Sequence, residues 1–393
     1  MNGTQDQKIT VLHLRCSNYA GGPETTLLGW LKYADYERFT PRIVFFEERY
    51  GLHRRSLEIF ADHKVPVELI PWGYTRNLPG ALRALVAKVR SAPHPILHAH
   101  DVRSDAVSLL VGRITGAPVV ISNHAWHAVG FKRHLFEAMR GYWLRFADAV
   151  ANVSADTHEE TIRRSVPPER SMVVYSGLDL APYRNPAPRS EAKARLGFSN
   201  NDVVVGNVAR MWPEKALHTL IEAAAQLAAR YPALRIVFVG DGVLEPALRA
   251  EVSQRGLDKT VRFLGFRKDL IEVMSAFDMF ALPSLAEGTP MVIYSAMALG
   301  LPIVASAVNG VAEILENERS ALLIKPAHAG ELTIAIDRLL AAPALGRALG
   351  DAARRRVEER YSAEKSVKIF ESLYQRLIAK QKAETWRASA KPI

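Results

Sequence analysis

The chain has 393 residues, which indicates two or three domains at roughly 150 residues each and excludes a single small module. Its composition, 48% hydrophobic and 23% charged, is typical of a globular protein and excludes a disordered or collagen-like chain. The net charge of +10 favours contact with anionic surfaces. The single cysteine, Cys16, excludes a disulfide framework and a cysteine-based zinc site and indicates a reducing compartment.

Targeting and membrane-spanning segments are not expected. The first residues lack the basic start and apolar core of a secretory signal peptide, and no run of about eighteen residues is continuously apolar. We therefore expect a cytoplasmic protein, with any membrane contact peripheral and at the inner face, and with no nucleic-acid partner.

Apolar strand-like runs alternate with helix-like stretches, a rhythm that predicts βαβ units around parallel sheets. In the first half, the strands are predicted at 9–14, 42–46, 67–70, 96–98, 119–122, 149–153 and 172–175. A helix is predicted at 24–33, directly after the first of these strands. In the second half, the strands are predicted at 203–208, 235–239, 261–264, 279–282, 303–305 and 321–324. The predicted fold class is α/β, with two Rossmann-like, doubly wound parallel-sheet domains.

The segment between the two series, residues 183–198, is rich in proline and charge and has no strand pattern, so we interpret it as a linker. The predicted domains are 1–185 and 186–375, followed by the end of a C-terminal helix and a basic tail at 376–393. Two such domains are expected to face a cleft, because open α/β sheets bind ligands at the carboxyl ends of their strands.

Glycine-rich turns follow strands in both halves. Gly22 opens the first helix, where backbone N–H groups and the helix dipole favour a phosphate. Gly240 and Gly242 form a second such turn. A tight turn without a ligand would use the same glycines, so both interpretations stay open.

Two basic residues, Arg210 and Lys215, follow the first strand of the second series at the start of a helix. A guanidinium and an ammonium group there are suited to binding a diphosphate and stabilising it as a leaving group. A solvated basic loop with Glu214 as partner is the alternative.

The most specific motif is Pro283-Ser284-x-x-Glu287-Gly288-x-Pro290, between an apolar strand and a helix. Glu287 at this position is a candidate ligand for sugar hydroxyls or for developing positive charge, and a helix-capping role is the alternative. A later turn, Asn309-Gly310-x-x-Glu313, is expected to bring the chain back to the same place.

Histidines and one aspartate gather after two strands of the first half: His98, His100, Asp101, His124 and His127. The His-x-His spacing puts two rings on one face of a strand, so a metal site is one interpretation and ordinary strand-end histidines are the other. No Walker A, G-x-S-x-G or Asp-x-Asp motif is present. We expect no bound metal, with Arg210 and Lys215 in place of the ion.

An aromatic and basic stretch spans residues 131–146. Leu135, Met139, Tyr142 and Phe146 recur at helical spacing, and we expect this face to pack on a core. Its basic residues suggest membrane-surface contact as the alternative.

Taken together, these motifs resemble those of the large retaining glycosyltransferase family of GT-B fold, which includes sucrose synthase and bacterial mannosyl- and glucosyltransferases. The resemblance implies a nucleotide-sugar donor, retention at the anomeric carbon and a glycan or lipid-linked glycan acceptor, with no cofactor. The resemblance implies that Arg210 and Lys215 bind the diphosphate and that Gly22 lies near a phosphate. It implies that the backbone of Phe266 and Arg267 contacts the base. The transferred sugar would be bound by His124 and Glu287, with Gly288, Thr289 and Pro290 beside it.

Position 295 departs from the family, which usually has a second glutamate there to bind the ribose hydroxyls. Ser295 cannot make that charged contact, so weaker donor binding or a different donor is expected. The resemblance therefore predicts a retaining nucleotide-sugar glycosyltransferase of cell-envelope or exopolysaccharide synthesis. A nucleotide-sugar epimerase of the same architecture and a non-catalytic nucleotide-sugar binder are the alternatives.

Overall fold

The computed structural model describes residues 8–16, 22–47, 54–72, 77–124 and 139–389, and the chain divides into two compact units. The first unit comprises Met1–Gly177 and Ala363–Ile393, and the second comprises Leu178–Ser362.

The first unit is built on a parallel sheet of seven strands in the order β3-β2-β1-β4-β5-β6-β7. The strands are β1 (Ile9–Arg15), β2 (Phe39–Glu47), β3 (Val67–Pro71), β4 (Pro95–Ala99), β5 (Val119–Asn123), β6 (Ala149–Asn152) and β7 (Ser171–Val173). The helices are α1 (Gly22–Tyr33), α2 (Arg54–Asp62), α3 (Leu78–Ser91), α4 (Val102–Thr115), α5 (139–144 in its described part) and α6 (Ala155–Arg163).

The second unit has a parallel sheet of six strands in the order β10-β9-β8-β11-β12-β13. Its strands are β8 (Val203–Val208), β9 (Leu234–Val239), β10 (Val261–Phe263), β11 (Met279–Leu282), β12 (Ile303–Ser306) and β13 (Leu322–Ile324). Its helices are α7 (Arg189–Arg195), α8 (His218–Leu227), α9 (Glu245–Gln254), α10 (Leu270–Ser275), α11 (Met291–Ala298), α12 (Asn309–Ile314), α13 (Ala329–Ala341) and α14 (Pro343–Arg360). The last helix of the chain is α15 (Ala363–Ser389).

Both sheets are buried on both faces, which is why the strands read as nearly continuous apolar runs in the sequence. In β1, Val11 packs in one core cluster and Leu12 in another, because successive side chains of a strand point to opposite faces. The predicted α/β fold class with two Rossmann-like parallel sheets is confirmed, and every predicted strand is present within a few residues of its expected bounds. Cys16 is buried, and burial raises its pKa.

The predicted linker at 183–198 is instead a packed part of the second unit. Tyr183 and Phe198 are buried, and the segment contains α7. Lys193 of α7 pairs with Asp278 at 2.7 Å, just before β11. Proline and charge are typical of a linker, but they also suit a short, ion-paired surface helix, and the sequence pattern does not separate the two.

The C-terminal helix also departs from the predicted bounds, which placed residues up to 375 in the second domain. In the structure α15 belongs to the first unit. Phe370 and Tyr374 pack there against Val11, Trp30 and other residues of one core cluster. An amphipathic helix shows in its sequence which face is apolar, but not which sheet that face covers.

The expected packing of the 131–146 face is wrong where the structure describes it. Met139, Tyr142 and Phe146 are exposed, whereas Arg140 and Leu144 are buried. Arg140 binds Asp105 of α4 in a buried ion pair, with 3.1 Å between Nη2 and Oδ2. The buried side of this segment is therefore fixed by an ion pair that hydrophobic periodicity does not reveal. Leu135 lies outside the described residues.

Among the residues that the structure describes, no helix combines the length and apolar character needed to cross a bilayer.

Candidate active site

The second sheet opens between β8 and β11, its central neighbours, where the strand order reverses direction. The two strands pair at Val205 with Met279 and at Gly206 with Phe280. Beyond these pairs the Asn207 amide Nδ2 donates a hydrogen bond of 2.8 Å to the Ala281 carbonyl. Such a switch point at the carboxyl ends of parallel strands is where open α/β sheets bind ligands.

Lys215 comes from the loop after β8 and ends a short 3₁₀ turn, Pro213–Lys215. The Leu285 N–H, in the loop after β11, donates to the Glu214 carbonyl at 2.8 Å and so ties the two loops together. Because of this backbone link, the side chain after Glu214 is held beside the residues that follow Leu285.

Glu287 is the partner of Lys215. The Lys215 ammonium Nζ donates to both carboxylate oxygens of Glu287 at 2.7 Å, and the Ser284 hydroxyl donates to Oε1 at 2.6 Å. The side chains are 14% and 7% exposed, so the pair is largely shielded from water. The helix-capping alternative for Glu287 is not supported, because Pro290 is the N-cap of α11 and makes no side-chain cap bond.

Lys215 and Glu287, expected on different parts of a donor, therefore form one ion pair. The two residues are 72 positions apart, and the sequence contains no sign of direct pairing. Arg210 is separate from them. Its side chain is 51% exposed, lies 3.5 Å from Glu214 and stacks over Trp212, which agrees with the solvated-loop interpretation.

The Glu287 loop is close-packed where it leads into α11. A Cβ at Gly310 would lie 2.1 Å from the Gly288 carbonyl oxygen, so the backbone of α12 approaches this loop as only glycine allows. The expected return of the chain at Asn309-Gly310 is confirmed. Thr289 and Pro290 complete the connection to α11.

Two further predicted donor contacts, Phe266 and Arg267, follow β10. Phe266 is 43% exposed, and Arg267 Nε donates to Asp269 at 2.7 Å. The Gly240 N–H donates to the Gly265 carbonyl at 2.8 Å, which places this segment beside the glycine turn after β9. A Cβ at Gly240 would lie 2.1 Å from the Ala209 carbonyl oxygen, so close backbone packing is sufficient to require this glycine.

Ser295, the position that departs from the family, lies in the second turn of α11. Its hydroxyl is 2.8 Å from the phenol oxygen of Tyr183. The two residues are 112 positions apart, and Tyr183 lies at the start of the predicted linker, so nothing in the sequence pattern connects them.

The first sheet has its own switch point, between β1 and β4, and it is lined with histidines. A cavity there is bordered by Trp30 of α1 together with His13, His98, His100, Ser122 and His124. His98, His100 and His124 are thus brought together as the sequence suggested. Gly22 is the first residue of α1. His127 lies outside the described residues, and Asp101 caps α4 by accepting from the Ser104 N–H.

His13 is the residue of this cluster that the sequence reasoning missed. It sits inside the apolar run of β1, where the strand pattern predicts only core. Its Nδ1 is 3.0 Å from His100 Nε2, and its ring packs edge-on against Trp30. Its Nε2 is buried without a hydrogen-bond partner.

All four rings of the cluster are neutral at pH 7. Burial lowers the pKa of His13 and of His124 to about 3, and it holds the pKa values of His98 and His100 well below their usual range. The positive charges of Arg15 and Arg140 contribute at His124. The cluster therefore offers hydrogen-bonding nitrogens without charge.

The metal interpretation is weakened by these hydrogen bonds. One nitrogen atom from each of His13, His98 and His100 lies within 4.8 Å of the others. His98, however, already uses both nitrogens, with Nδ1 2.7 Å from the Tyr374 phenol and Nε2 2.8 Å from the Ser122 hydroxyl. An ion bound there would have to displace one of these partners.

A buried ion pair lies next to this histidine-lined cavity. Arg15 at the end of β1 donates from Nη2 to Glu24 of α1 at 2.6 Å and from Nη1 to the His100 carbonyl at 3.0 Å. Arg15 is 3% exposed and Glu24 is fully buried. Glu24 therefore has a structural partner, which fixes α1 and the loop after β4 to the same residue.

The depressed pKa values predict that acidification destabilises the first unit. The unfolded chain binds protons at its histidines from about pH 6.5 downwards, while the folded form does so only near pH 3. We therefore expect the free energy of unfolding to fall as the pH drops below 6.5, by about 1.4 kcal/mol per pH unit for each such histidine. Urea titrations between pH 7.5 and 5 measure this slope.

Replacing one ring isolates its contribution. His13→Gln should lower the slope, whereas His63→Gln, at an exposed histidine, should leave it unchanged. An unaltered slope in folded His13→Gln protein would contradict the neutral state assigned to this residue.

Comparison with known proteins identifies both halves of the chain. Residues 20–182 match the family Glycosyltransferase Family 4, and residues 188–356 match Glycosyl transferases group 1. D-inositol 3-phosphate glycosyltransferase of Salinispora arenicola is 32% identical over 351 residues, which is 76% of this chain and 78% of that protein. UDP-Gal:alpha-D-GlcNAc-diphosphoundecaprenol alpha-1,3-galactosyltransferase of Escherichia coli is 26% identical over 335 residues, 81% of this chain and 84% of that protein.

Among solved structures, Anabaena HepE in complex with UDP-glucose superimposes with a TM-score of 0.81 at 25% identity, covering 93% of this chain and all of that one. The parallel sheets, the switch-point ion pair and these matches along both halves lead to one assignment. The chain belongs to the group 1 glycosyltransferases and is a glycosyltransferase of GT-B fold.

Proposed function

We propose that the protein transfers a sugar, with retention at the anomeric carbon, from a nucleotide-sugar donor to a polysaccharide or lipid-linked oligosaccharide acceptor. The Lys215–Glu287 pair at the switch point of the second sheet is the observation that carries this proposal. The names of the relatives support it, since the Escherichia coli protein acts on a diphosphoundecaprenol-linked sugar and HepE binds UDP-glucose. A UDP-sugar is therefore the first donor class to test.

Lys215 and Arg210 are suited to the diphosphate. As the bond to the sugar breaks, negative charge builds on the leaving phosphate, and two cations stabilise it where a metal ion would otherwise do so. Lys215 is held in place by Glu287. Arg210 is more exposed and is free to turn from Glu214 towards a stronger anion.

Glu287 is suited to the hydroxyls of the transferred sugar. Its carboxylate accepts from Lys215 and Ser284, and remaining lone pairs can accept from a ligand hydroxyl. The Gly288–Pro290 segment lies directly beside it and can contact the same sugar through its backbone. Phe266 and Arg267 remain our candidates for the base, and Gly22 for a phosphate.

His124 in the first unit is our candidate for a further contact to the sugar. Its Nε2 is buried without a hydrogen-bond partner, and the low pKa keeps the ring neutral. A neutral imidazole can donate to or accept from a hydroxyl without adding charge to the site. We propose that this nitrogen binds a hydroxyl of the transferred sugar.

Labelled donors test the activity itself. With UDP-glucose or UDP-galactose, a transferase should release UDP and give a product whose anomeric configuration, measured by NMR, equals that of the donor. An epimerase would produce the epimeric nucleotide sugar without releasing UDP, and a binding protein would give neither. The Escherichia coli and Salinispora arenicola relatives are named as transferases, which does not favour these two alternatives.

The ion pair predicts opposite effects on nucleotide binding. Lys215→Ala should weaken UDP binding and lower turnover by a factor of about 100 to 1,000, because one electrostatic contact to the leaving group is lost. Glu287→Gln should retain or tighten UDP binding, since the Lys215 charge is no longer neutralised, while turnover collapses. Calorimetry with UDP and steady-state turnover measure the two effects.

Arg230→Ala is a matched control, because it removes an exposed ion pair of the same unit, to Asp337 at 2.7 Å. It should change neither quantity. Wild-type turnover in Glu287→Gln would remove Glu287 from the site.

We also propose peripheral contact of the first unit with an anionic membrane surface, at the cytoplasmic face. Tyr142 and Phe146 are 56% and 60% exposed, and the Arg145 guanidinium stacks over both rings. Exposed aromatic rings next to a cation are suited to a headgroup layer, and the net charge of +10 adds attraction to anionic lipid.

Vesicle sedimentation measures this contact. Binding to vesicles with anionic lipid should exceed binding to neutral ones, fall with salt, and weaken in the double variant Tyr142→Ser, Phe146→Ser. Ile334→Ser, at a residue of the second unit that is 69% exposed, is the control and should bind as wild type. Equal binding to neutral and anionic vesicles would contradict the proposal.

A further inference from the structure

The hydroxyl of Ser295 has a partner in the second unit. The Tyr183 phenol oxygen is 2.8 Å from Ser295 Oγ, and Tyr183 is held at the end of a 3₁₀ turn, Ala181–Tyr183. Tyr183 is 9% exposed, while Ser295 is half-buried. Burial raises the pKa of the Tyr183 phenol, so its proton remains available for hydrogen bonding at neutral pH.

Either hydroxyl of the Tyr183–Ser295 pair can donate to the other, and in both cases the two oxygens can still bond to a ligand. Ser295 Oγ also lies 3.4 Å from the Met291 carbonyl one turn earlier, an acceptor that helical serines often use. If Ser295 donates to Met291, Tyr183 donates to Ser295 and both oxygens keep lone pairs. If Ser295 donates to Tyr183 instead, the phenol hydrogen is left for a third group. In either arrangement the pair offers two coupled, uncharged oxygens.

The pair lies close to the Glu287 loop. That loop runs directly into α11, and Ser295 follows the first helical residue, Met291, by four positions, a rise of about 6 Å. A nucleotide whose phosphates lie at Lys215 and Arg210 has its ribose hydroxyls as the next polar groups that need partners. These are neutral groups that donate and accept, as the Tyr183–Ser295 pair does.

We propose that Tyr183 is a donor-positioning residue, which together with Ser295 forms a neutral two-oxygen site for the ribose hydroxyls of the nucleotide donor. This role rests on the proposed function. A glutamate at position 295 would offer the ribose two carboxylate oxygens. Ser295 offers one hydroxyl oxygen, and the Tyr183 phenol offers the second, so the ribose contact is retained. A glutamate at position 295 would meet the phenol along the present Oγ direction, so Ser295→Glu is not expected to tighten binding by itself.

The experiment compares ribose and deoxyribose ligands by titration calorimetry. Wild-type protein should bind UDP about twofold to tenfold more tightly than 2′-deoxy-UDP, the value of one neutral hydrogen bond. In Tyr183→Phe this ratio should fall towards one, because the ring stays and only the hydroxyl is lost. Ser295→Ala should lower the ratio similarly, and the double variant should add little, since the oxygens act as one unit. GDP and 2′-deoxy-GDP are measured in parallel.

Tyr231→Phe is the matched control, because it removes a phenol bonded to Asp337 at 2.6 Å in the same unit. It should leave the ratio at the wild-type value. If Tyr183→Phe fails to fold, Ser295→Ala decides the same question.

The outcomes separate the two proposals. Tight UDP binding with an unchanged ribose-to-deoxyribose ratio in folded Tyr183→Phe and Ser295→Ala would overturn the role of Tyr183 and leave the transferase assignment intact. Folded wild-type protein that binds neither UDP nor GDP would overturn the uridine and guanosine donor classes on which both proposals stand.

Discussion

The ion pair between Lys215 and Glu287 is the constraint on which the candidate site at the β8–β11 switch point depends. Two charges that are 14% and 7% exposed are costly to bury unless both are satisfied, and here the carboxylate also accepts from Ser284. The backbone hydrogen bond from Leu285 to Glu214 holds the two loops side by side, and the ion pair forms between them. Removing either residue would leave the other charge largely buried without its oppositely charged partner.

The same pair bears on how the proposed donor would bind. Lys215 and Glu287 neutralise each other, so under the proposed function a diphosphate would compete with the Glu287 carboxylate for the Lys215 ammonium group. Arg210, which lies outside the pair and is half-exposed, would then supply the additional positive charge. In this proposal Lys215 provides a fixed cation and Arg210 provides a cation that reorients.

Each part of this arrangement differs in how far the sequence could predict it. The strands were predictable, because sheets covered on both faces require apolar runs whichever side chains lie opposite. Glu287, Lys215 and the histidines were identified as candidates because they follow strands. Their partners were not, since Lys215–Glu287 and Tyr183–Ser295 join residues 72 and 112 positions apart. His13 was missed because a polar residue within an apolar run shows no sign of its buried partner. Arg140 belongs to the basic residues expected at a membrane surface, but its ion pair with Asp105 buries it and turns the apolar face of α5 outwards.

The last helix, α15, contacts the histidine-lined cavity of the first unit. Tyr374 bonds to His98 across 276 positions, and Phe370 packs against the same ring. Residues 1–177 alone would leave His98 Nδ1 without that partner and part of one face of the sheet uncovered. The second unit, Leu178–Ser362, is continuous and contains its own core without α15. The first unit is complete only with α15, because the hydrogen bond between Tyr374 and His98 comes from that helix. The histidine cluster of the first unit therefore depends on a helix that follows the whole second unit in the sequence.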